Sequence, residues 1–403
     1  MSRRAVALLI ESSNAYARGI LEGIIDYQRH HDAWSIYLPE QDRGATPPKW
    51  LRNWHGDGLI ARIETAEIAS AVHRIGIPVV DVSAARRLDG IPWVETDDRL
   101  VAQLAAEHLL ERGFRNLAFC GDPSFNWSTW RSDHFQQIAT DHGIVSHLFK
   151  GQGRQSTGYS WPREKRSLAA WLRKLPKPIG LMASYDIRAQ QILDLCRELE
   201  ILVPDEIAVI GVDNDPIVCN LAFPSLTSII PNAVGAGYCA AELLEKMMSG
   251  VPVAAEEHLL PPLGIATRQS TDILAVEDQE IRKVAKFIRD KACTGIQVTD
   301  LLREVPLSRR ILESRFKKAT GQTPHEAIFA QRMKRVEQLL RESDLSLEVI
   351  ATKAGFEHTE YMSVAFRKHF HMPPGRYRNQ VRSSGSPQIT TFENEESKIG
   401  SES

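Results

Sequence analysis

The chain has 403 residues, of which 43% are apolar and 25% charged, with a formal net charge of −2, a make-up that excludes fibrous and wholly disordered classes. No apolar run approaches the ~20 residues needed to cross a bilayer, and five cysteines scattered without paired spacing exclude a disulfide scaffold. The opening MSRRAVALLIESS loses its apolar run at Glu11, too early for a secretory signal, so a cytoplasmic location and no membrane partner are expected.

AVALLI (5–10) reads as a buried strand and leads into the helix-like GILEGIIDYQR. WSIYL (34–38), GLI (58–60), IPVVDVS (77–83), NLAFCG (116–121), PIGLMAS (178–184) and IAVIGVDN (207–214) continue the strand series. Between them IASAVHRIG, LVAQLAAEHLLERG and AQQILDLCRELE read as helices. Strand and helix in alternation predict parallel sheets covered on both faces, and strands apolar throughout fit that burial. The number of units predicts two sheets, one over about 5–100 and one over about 114–225. Ligands of such sheets sit beyond the carboxyl ends of the strands. That singles out 11–18, 62, 83, 122–131, 184–188 and 213–215.

Near 268–280 the strand rhythm stops, which predicts a linker, and the chain to about 380 reads as helices. Residues 278–382 hold 21 Lys and Arg against 13 Asp and Glu, residues 1–277 hold 27 against 34, and 383–403 hold one against four. A basic module on an acidic body points to a polyanion met by that module. The polar, acidic end, 383–403, is expected to be disordered.

Two helix-turn-helix patterns lie in tandem within the module. In TDLLREVPLSRRILESRFKKATG, Leu307, Ile311, Leu312 and Phe316 form an apolar stripe, Ser308 is placed to N-cap the second helix, and Gly321 can close it. In LSLEVIATKAGFEHTEYMSVAFRKHF, Leu345, Val349, Ile350 and Ala351 form one face, and a turn at 354–356 follows. Tyr361, Met362, Ala365, Phe366 and Phe370 are expected to face a small core. QRMKRVEQLLRES reads as a rigid helix between the two patterns. The opposite faces expose Arg309, Arg310, Glu313, Ser314 and Lys317 in the first pattern and His358, Thr359, Glu360, Ser363 and Arg367 in the second. Arginine suits guanine edges, and lysine and serine suit phosphates, so these residues are candidates for contact with double-stranded DNA.

Residues LSRRILESRFKKATGQTPHEAI, IATKAGF, AFRKHF and Pro373-Pro374 with Tyr377-Arg378 resemble the DNA-binding domain of the AraC/XylS transcription regulators. Pro306 stands where that family usually has glycine, and His371 begins the segment that replaces its usual Gly-x-Ser/Thr-Pro. The preceding 5–275, through EHLLERGFRNLAFCG, DGLIA, PDEIAVIGVDN and FPSLTSI, resembles the sugar-sensing core of LacI/GalR repressors and periplasmic sugar-binding proteins. The resemblance implies a two-lobed periplasmic-binding-protein-like α/β sensor over 1–275 and an all-α tandem helix-turn-helix domain over 276–382. It implies a regulator that binds DNA under control of a small sugar effector, a pentose such as D-xylose, and acts as a homodimer and activator that contacts RNA polymerase; the residues themselves leave open a repressor that senses a different sugar, or a sugar-binding protein that does not bind DNA.

A sugar needs charged or amide groups for adjacent hydroxyls and aromatic walls for its C–H faces. The strand-end positions offer Tyr16, Arg18, Trp127, Arg131, Asp186, Arg188, Asp213 and Asn214 as ligand-binding candidates. An enzyme is not expected. IESSNAYARG, after the first strand, is no G-x-G-x-x-G or P-loop, and no H-E-x-x-H, G-x-S-x-G or paired-cysteine spacing occurs. The expectation is therefore no catalytic residue, no cofactor and no metal.

Overall fold

The computed structural model describes residues 3–40, 46–272 and 278–383. The tail expected over 383–403 lies, but for its first residue, outside them. The chain divides into two compact units, Met1–Ala275 and Val276–Ser403.

Among the described residues the first unit has twelve strands. They are β1 (Ala5–Leu9), β2 (Ser35–Tyr37), β3 (Gly58–Ala61), β4 (Val79–Asp81), β5 (Trp93–Thr96), β6 (Leu117–Cys120), β7 (Ser146–Leu148), β8 (Ile179–Ala183), β9 (Ile207–Val212), β10 (Thr227–Ile230), β11 (Glu257–Leu260) and β12 (Gly264–Ala266). One sheet has the order β11-β5-β4-β3-β1-β2 and the other β12-β10-β9-β8-β6-β7. All pairings are parallel except β10 with β12. The central β8 and β9 are buried at every residue, as strands with helices on both faces must be.

The two lobes are not consecutive in sequence, which corrects the expected split at about 100 and 114. The helix Ala233–Met248 and strand β11 return to the first lobe, whereas Asp98–Glu111 and β12 build the second. The chain thus crosses between lobes three times. The crossings are tied side by side: the Asp97 N–H donates to the Leu260 carbonyl at 2.8 Å, the Leu263 N–H to the Ile230 carbonyl at 2.8 Å, and the Asn232 N–H to Thr96 Oγ1 at 3.1 Å. Ala233–Met248 docks on Ala15–His30 at backbone distance. A Cβ on Gly23 would stand 2.0 Å from the Val234 carbonyl oxygen, and one on Gly237 2.0 Å from that of Ile20. Only glycine permits that approach.

The linker expected from 268 starts later. Gln269–Thr271 forms a 3-10 turn inside the second lobe, where Ser270 Oγ donates to the Val209 carbonyl at 2.6 Å and Thr271 meets His108 Nε2 at 2.8 Å.

The second unit is helical among the described residues: Gln279–Lys291, Val298–Glu304, Arg309–Thr320, Pro324–Glu342, Leu347–Lys353, Thr359–Phe370 and Pro374–Ser383, with a 3-10 turn at Ala292–Thr294. It has two small cores. Ile281, Val284, Ile288, Leu301, Leu312 and Phe316 form one, and Met333, Val336, Leu340, Ile350, Met362 and Phe366 the other. Pro324–Glu342 feeds both, Ala327 and Ile328 into the first and Met333 onward into the second, so this helix sets their spacing. Its start is held by a reciprocal Thr323–Glu326 capping box.

Three residues expected in these cores stand in solvent: Ile311 at 48% exposure, Val349 at 39% and Tyr361 at 61%. Each core is closed by side chains four apart, Leu312 with Phe316 and Met362 with Phe366. A helix turns about 100° per residue, which carries the residue before each pair off the buried stripe. Ser308 occupies the N-cap position, but its side chain makes no capping hydrogen bond. Gly321 closes Arg309–Thr320 at φ 77°, and His371 takes the equivalent left-handed position after Thr359–Phe370 at φ 58°.

Candidate ligand cleft and candidate nucleic-acid interface

The carboxyl ends of both parallel sheets bring charged side chains out of a dry core. In the first lobe β1 runs into Glu11, and Asn14 caps the helix that carries Tyr16 and Arg18, accepting the Ala17 N–H at 2.8 Å. β3 runs into Arg62, and β5 ends in Glu95 and Thr96. The Tyr16 hydroxyl donates to Glu95 Oε2 at 2.7 Å and accepts the Thr96 N–H at 3.3 Å. Arg62 is buried between two carboxylates, 2.9 Å from Glu11 Oε1 and 2.7 Å from Glu64 Oε1, with its guanidinium 5.8 Å from the Tyr16 ring centre. Burial pushes the Glu95 carboxyl up to about 8, against the pull of Arg62 and the Tyr16 hydrogen bond. It pushes Asp81, at the end of β4, up to about 7.

In the second lobe Arg131 is the hub. Its Nε donates to Asp98 Oδ1 and its Nη1 to the Ser184 carbonyl, both at 2.6 Å, and its guanidinium lies 5.1 Å from the Trp127 ring centre. Burial alone would favour loss of its proton; the carboxylates of Asp98 and Asp213 outweigh that and keep it charged. Trp127 stacks on Phe125 and meets Tyr185 edge-on, giving an aromatic wall beside the charge. Asp213 and Asn214 turn the chain out of β9 at φ 112° and 48°, a left-handed geometry that costs a side-chain-bearing residue about 1–3 kcal/mol each.

Asp186 holds that turn from beneath. It accepts Ser228 Oγ at 2.6 Å and the Asp215 N–H at 2.9 Å, while burial and then the neighbouring Asp213 charge raise its carboxyl to about 8. Asn214 Oδ1 accepts Arg268 Nη2 at 2.8 Å. Arg188 is fully buried on Glu164 Oε1 at 3.1 Å. Of the eight sequence candidates, Tyr16, Trp127, Arg131 and Asp213 therefore converge around Glu95 and Asp98, whereas Asp186, Arg188 and Asn214 are engaged by other side chains of the same lobe.

The remaining candidate, Arg18, spans the rim. Its Nη2 reaches Asp215 Oδ2 across the lobes at 3.2 Å. A second bridge spans the lobes at Arg86, which follows β4. Its guanidinium lies 3.7 Å from the ring centre of Trp93 in the first lobe and 4.6 Å from that of Trp130 in the second, and it pairs with Glu257 at 2.8 Å. Beside it Asn126 Nδ2 donates to the Ala85 carbonyl at 3.2 Å. The lobes are thus clasped together at two points, Arg18 to Asp215 and Arg86 to Trp130, beside a buried cluster of acids and guanidinium groups flanked by aromatic rings. Carboxylates accept from hydroxyls and guanidinium groups donate to them, so this surface suits vicinal hydroxyls.

Sequence reasoning marked Glu11 and Arg62 for inspection but passed over Glu95 and Asp98. The available signal was PWVETDD: an apolar pair running into acids at a strand end.

In the second unit, Arg310, Ser314 and Lys317 share one exposed stripe of Arg309–Thr320, and Arg309 pairs with Glu313 at 2.9 Å. On Thr359–Phe370, Glu360 and Arg367 are exposed, His358 is exposed at the N-cap position, and Thr359 and Ser363 are half-buried. Each of these helices follows a short helix, Val298–Glu304 or Leu347–Lys353, across a tight break, the arrangement that presents a second helix to a major groove.

Three family profiles cover the chain: a XylR N-terminal domain over residues 5–99, a periplasmic binding protein-like domain over 106–271, and a helix-turn-helix domain over 301–380. The chain is 31% identical over 385 residues to the xylose operon regulatory protein of Escherichia coli (strain K12), covering 94% of this chain and 97% of that protein. It is 30% identical to the protein of the same name from Haemophilus influenzae, over 93% and 97% of the two chains. The solved structure of a xylose-binding transcription activator, XylR, superposes with a TM-score of 0.78 at 30% identity, covering 94% of this chain and 99% of that one.

Proposed function

The chain belongs to the xylose operon regulatory protein family, and we propose that its first unit takes D-xylose as the effector while its second reads an operator. It is a transcription regulator, not an enzyme. In this reading residues 1–275 sense and 276–382 bind DNA. Tyr16, Trp127, Arg131 and Asp213 contact the pentose with Arg62 and Glu95. Asp186 shapes the Asp213 turn, and Arg18 closes the rim. Arg310, Ser314, Lys317, Glu360 and Arg367 face the grooves, with Arg309, Glu313, His358, Thr359 and Ser363 at their margins. The protein acts in the cytoplasm as a homodimer and activates transcription through contact with RNA polymerase.

One observation carries the sugar assignment: Arg131 is held charged by Asp98 and Asp213 beside the Trp127 ring, with Tyr16 bonded to the nearby Glu95. A monosaccharide offers the matching set of hydroxyls around its edge and C–H groups on its faces. The effector acts on DNA binding only if it prefers one conformation of the protein. The test is a thermal-shift panel of D-xylose, L-arabinose, ribose and glucose. A sugar at a hundred times its Kd adds about 2.7 kcal/mol to sensor stability. D-xylose is expected to give the largest rise, and a panel without any rise would refute the assignment.

A further inference from the structure

The two outward helices are structural repeats. Arg309–Thr320 and Thr359–Phe370 each have 12 residues, and a constant offset aligns Leu312 with Met362, Phe316 with Phe366, and the left-handed Gly321 with His371. On the outward stripe of the first, Ser314 is exposed between Arg310 and Lys317. The same position in the second is Val364, between Glu360 and Arg367.

Val364 is 68% exposed, and Tyr361, one turn before it, is 61% exposed. A β-branched residue is a poor choice for an exposed helix position on propensity alone. Here it forms an apolar patch with Tyr361, on a helix whose last turn is basic, with Arg367, Lys368 and His369. The counterpart helix is polar at the equivalent centre. Two repeats with the same buried residues and different outward centres meet different surfaces.

We propose that Val364 reads a thymine in the operator through its C5 methyl group. The inference rests on the DNA-binding reading above and names what the second helix recognises. Thymine is the one base that presents a methyl in the major groove, and small apolar side chains are its partners there. Arg367 and Lys368 supply the charge complementarity that seats the helix against phosphates. The first helix has Ser314 at the equivalent position, between Arg310 and Lys317, with its exposed apolar residue Ile311 one turn earlier, so a methyl contact at this position belongs to the second helix alone.

The experiment selects a high-affinity duplex from a randomised pool with the full-length protein, then replaces each thymine in turn by deoxyuridine, which removes the methyl alone. Affinities are read by fluorescence anisotropy for the wild type, Val364→Ala, Val364→Thr and Ser314→Ala. At one or two thymines within the part of a half-site that the second helix meets, deoxyuridine is expected to weaken wild-type binding about fourfold for each protomer bound, the worth of one buried methyl. That penalty disappears in Val364→Ala, persists in Val364→Thr, which keeps a methyl, and persists in Ser314→Ala. A wild type indifferent to deoxyuridine throughout the selected site, or a full penalty retained by Val364→Ala, overturns the inference while leaving DNA binding intact. A pool from which no duplex is enriched overturns the DNA-binding reading itself, and this inference with it.

Discussion

Arg131→Leu probes the centre of the cleft. The arginine side chain is 8% exposed and its partner Asp98 6%, and the substitution removes two donated bonds at 2.6 Å to Asp98 and the Ser184 carbonyl. Breaking a buried pair from one side leaves the other charge uncompensated, at a cost of about 3–5 kcal/mol. For a unit of this size that is a fall in melting temperature on the order of 10 °C. Adding Asp98→Leu removes the orphaned carboxylate, so the double variant is expected to recover most of the lost stability. It should not recover sugar binding, because the charged donor is still gone. Losing a charged hydrogen bond to one sugar hydroxyl costs about 1.5–3 kcal/mol, or roughly ten- to a hundredfold in Kd. Differential scanning calorimetry and xylose titration of the three proteins separate the two roles. A single variant less than about 1 kcal/mol less stable than wild type, or a double variant no more stable than the single, would refute the reasoning.

The pH dependence follows from the buried acids. Glu95 and Asp81 have their folded carboxyls raised to about 8 and about 7 by burial, above ordinary carboxylate values near 4. The folded state then holds protons that the unfolded state releases, so sensor stability falls as pH climbs from about 4.5 to about 8. The urea midpoint of the sensor transition should drop across that window and drop less in Glu95→Gln; a rising midpoint would contradict the assignment. Removing the rim clasp by Arg86→Ala or Trp130→Ala loses cation–π contacts worth about 0.5–1 kcal/mol. That should raise the xylose off-rate and weaken affinity two- to fivefold, with Arg86→Lys in between because it keeps the charge but not the planar stack. Stopped-flow traces with an unchanged off-rate would dismiss the clasp. His371→Gly relieves the left-handed backbone at φ 58° and should stabilise the second unit by about 1 kcal/mol, whereas His371→Val should destabilise it, as followed by circular dichroism.

Much of the fold is legible because the central strands are uniformly apolar: β1, β3, β4, β6, β8 and β9 each coincide with an apolar run. β5, β10 and β11 mix apolar residues with polar side chains such as Glu95, Ser228 and His258, and β12 is a three-residue strand opening on Gly264, so no sustained apolar run marks them. Their omission hid the crossings between lobes, since β11 joins the first lobe from far along the chain. Reading the chain in order cannot reveal such a return. The cleft was legible where a polar residue directly follows an apolar strand, as at Arg62 and Asp213. Glu95 and Asp98 escaped because acids just before a helix read as caps and dipole partners. Asp97 does cap that helix, accepting the Arg99 N–H at 2.8 Å, while Asp98 beside it turns inward to Arg131. Tyr361 misled in the other direction. Aromatic side chains bury large areas in cores, yet Met362, Ala365 and Phe366 already fill this one.

Coupling between the sugar cleft and the DNA-reading unit is tested most directly by one titration. Full-length protein is titrated against its selected duplex by anisotropy, with and without saturating D-xylose, at several salt concentrations. The expected result is sequence-specific binding that weakens steeply with salt, as phosphate contacts require, and an affinity that changes at least fivefold with D-xylose. Duplex affinity identical with and without the sugar, or no preference for any sequence, would contradict it.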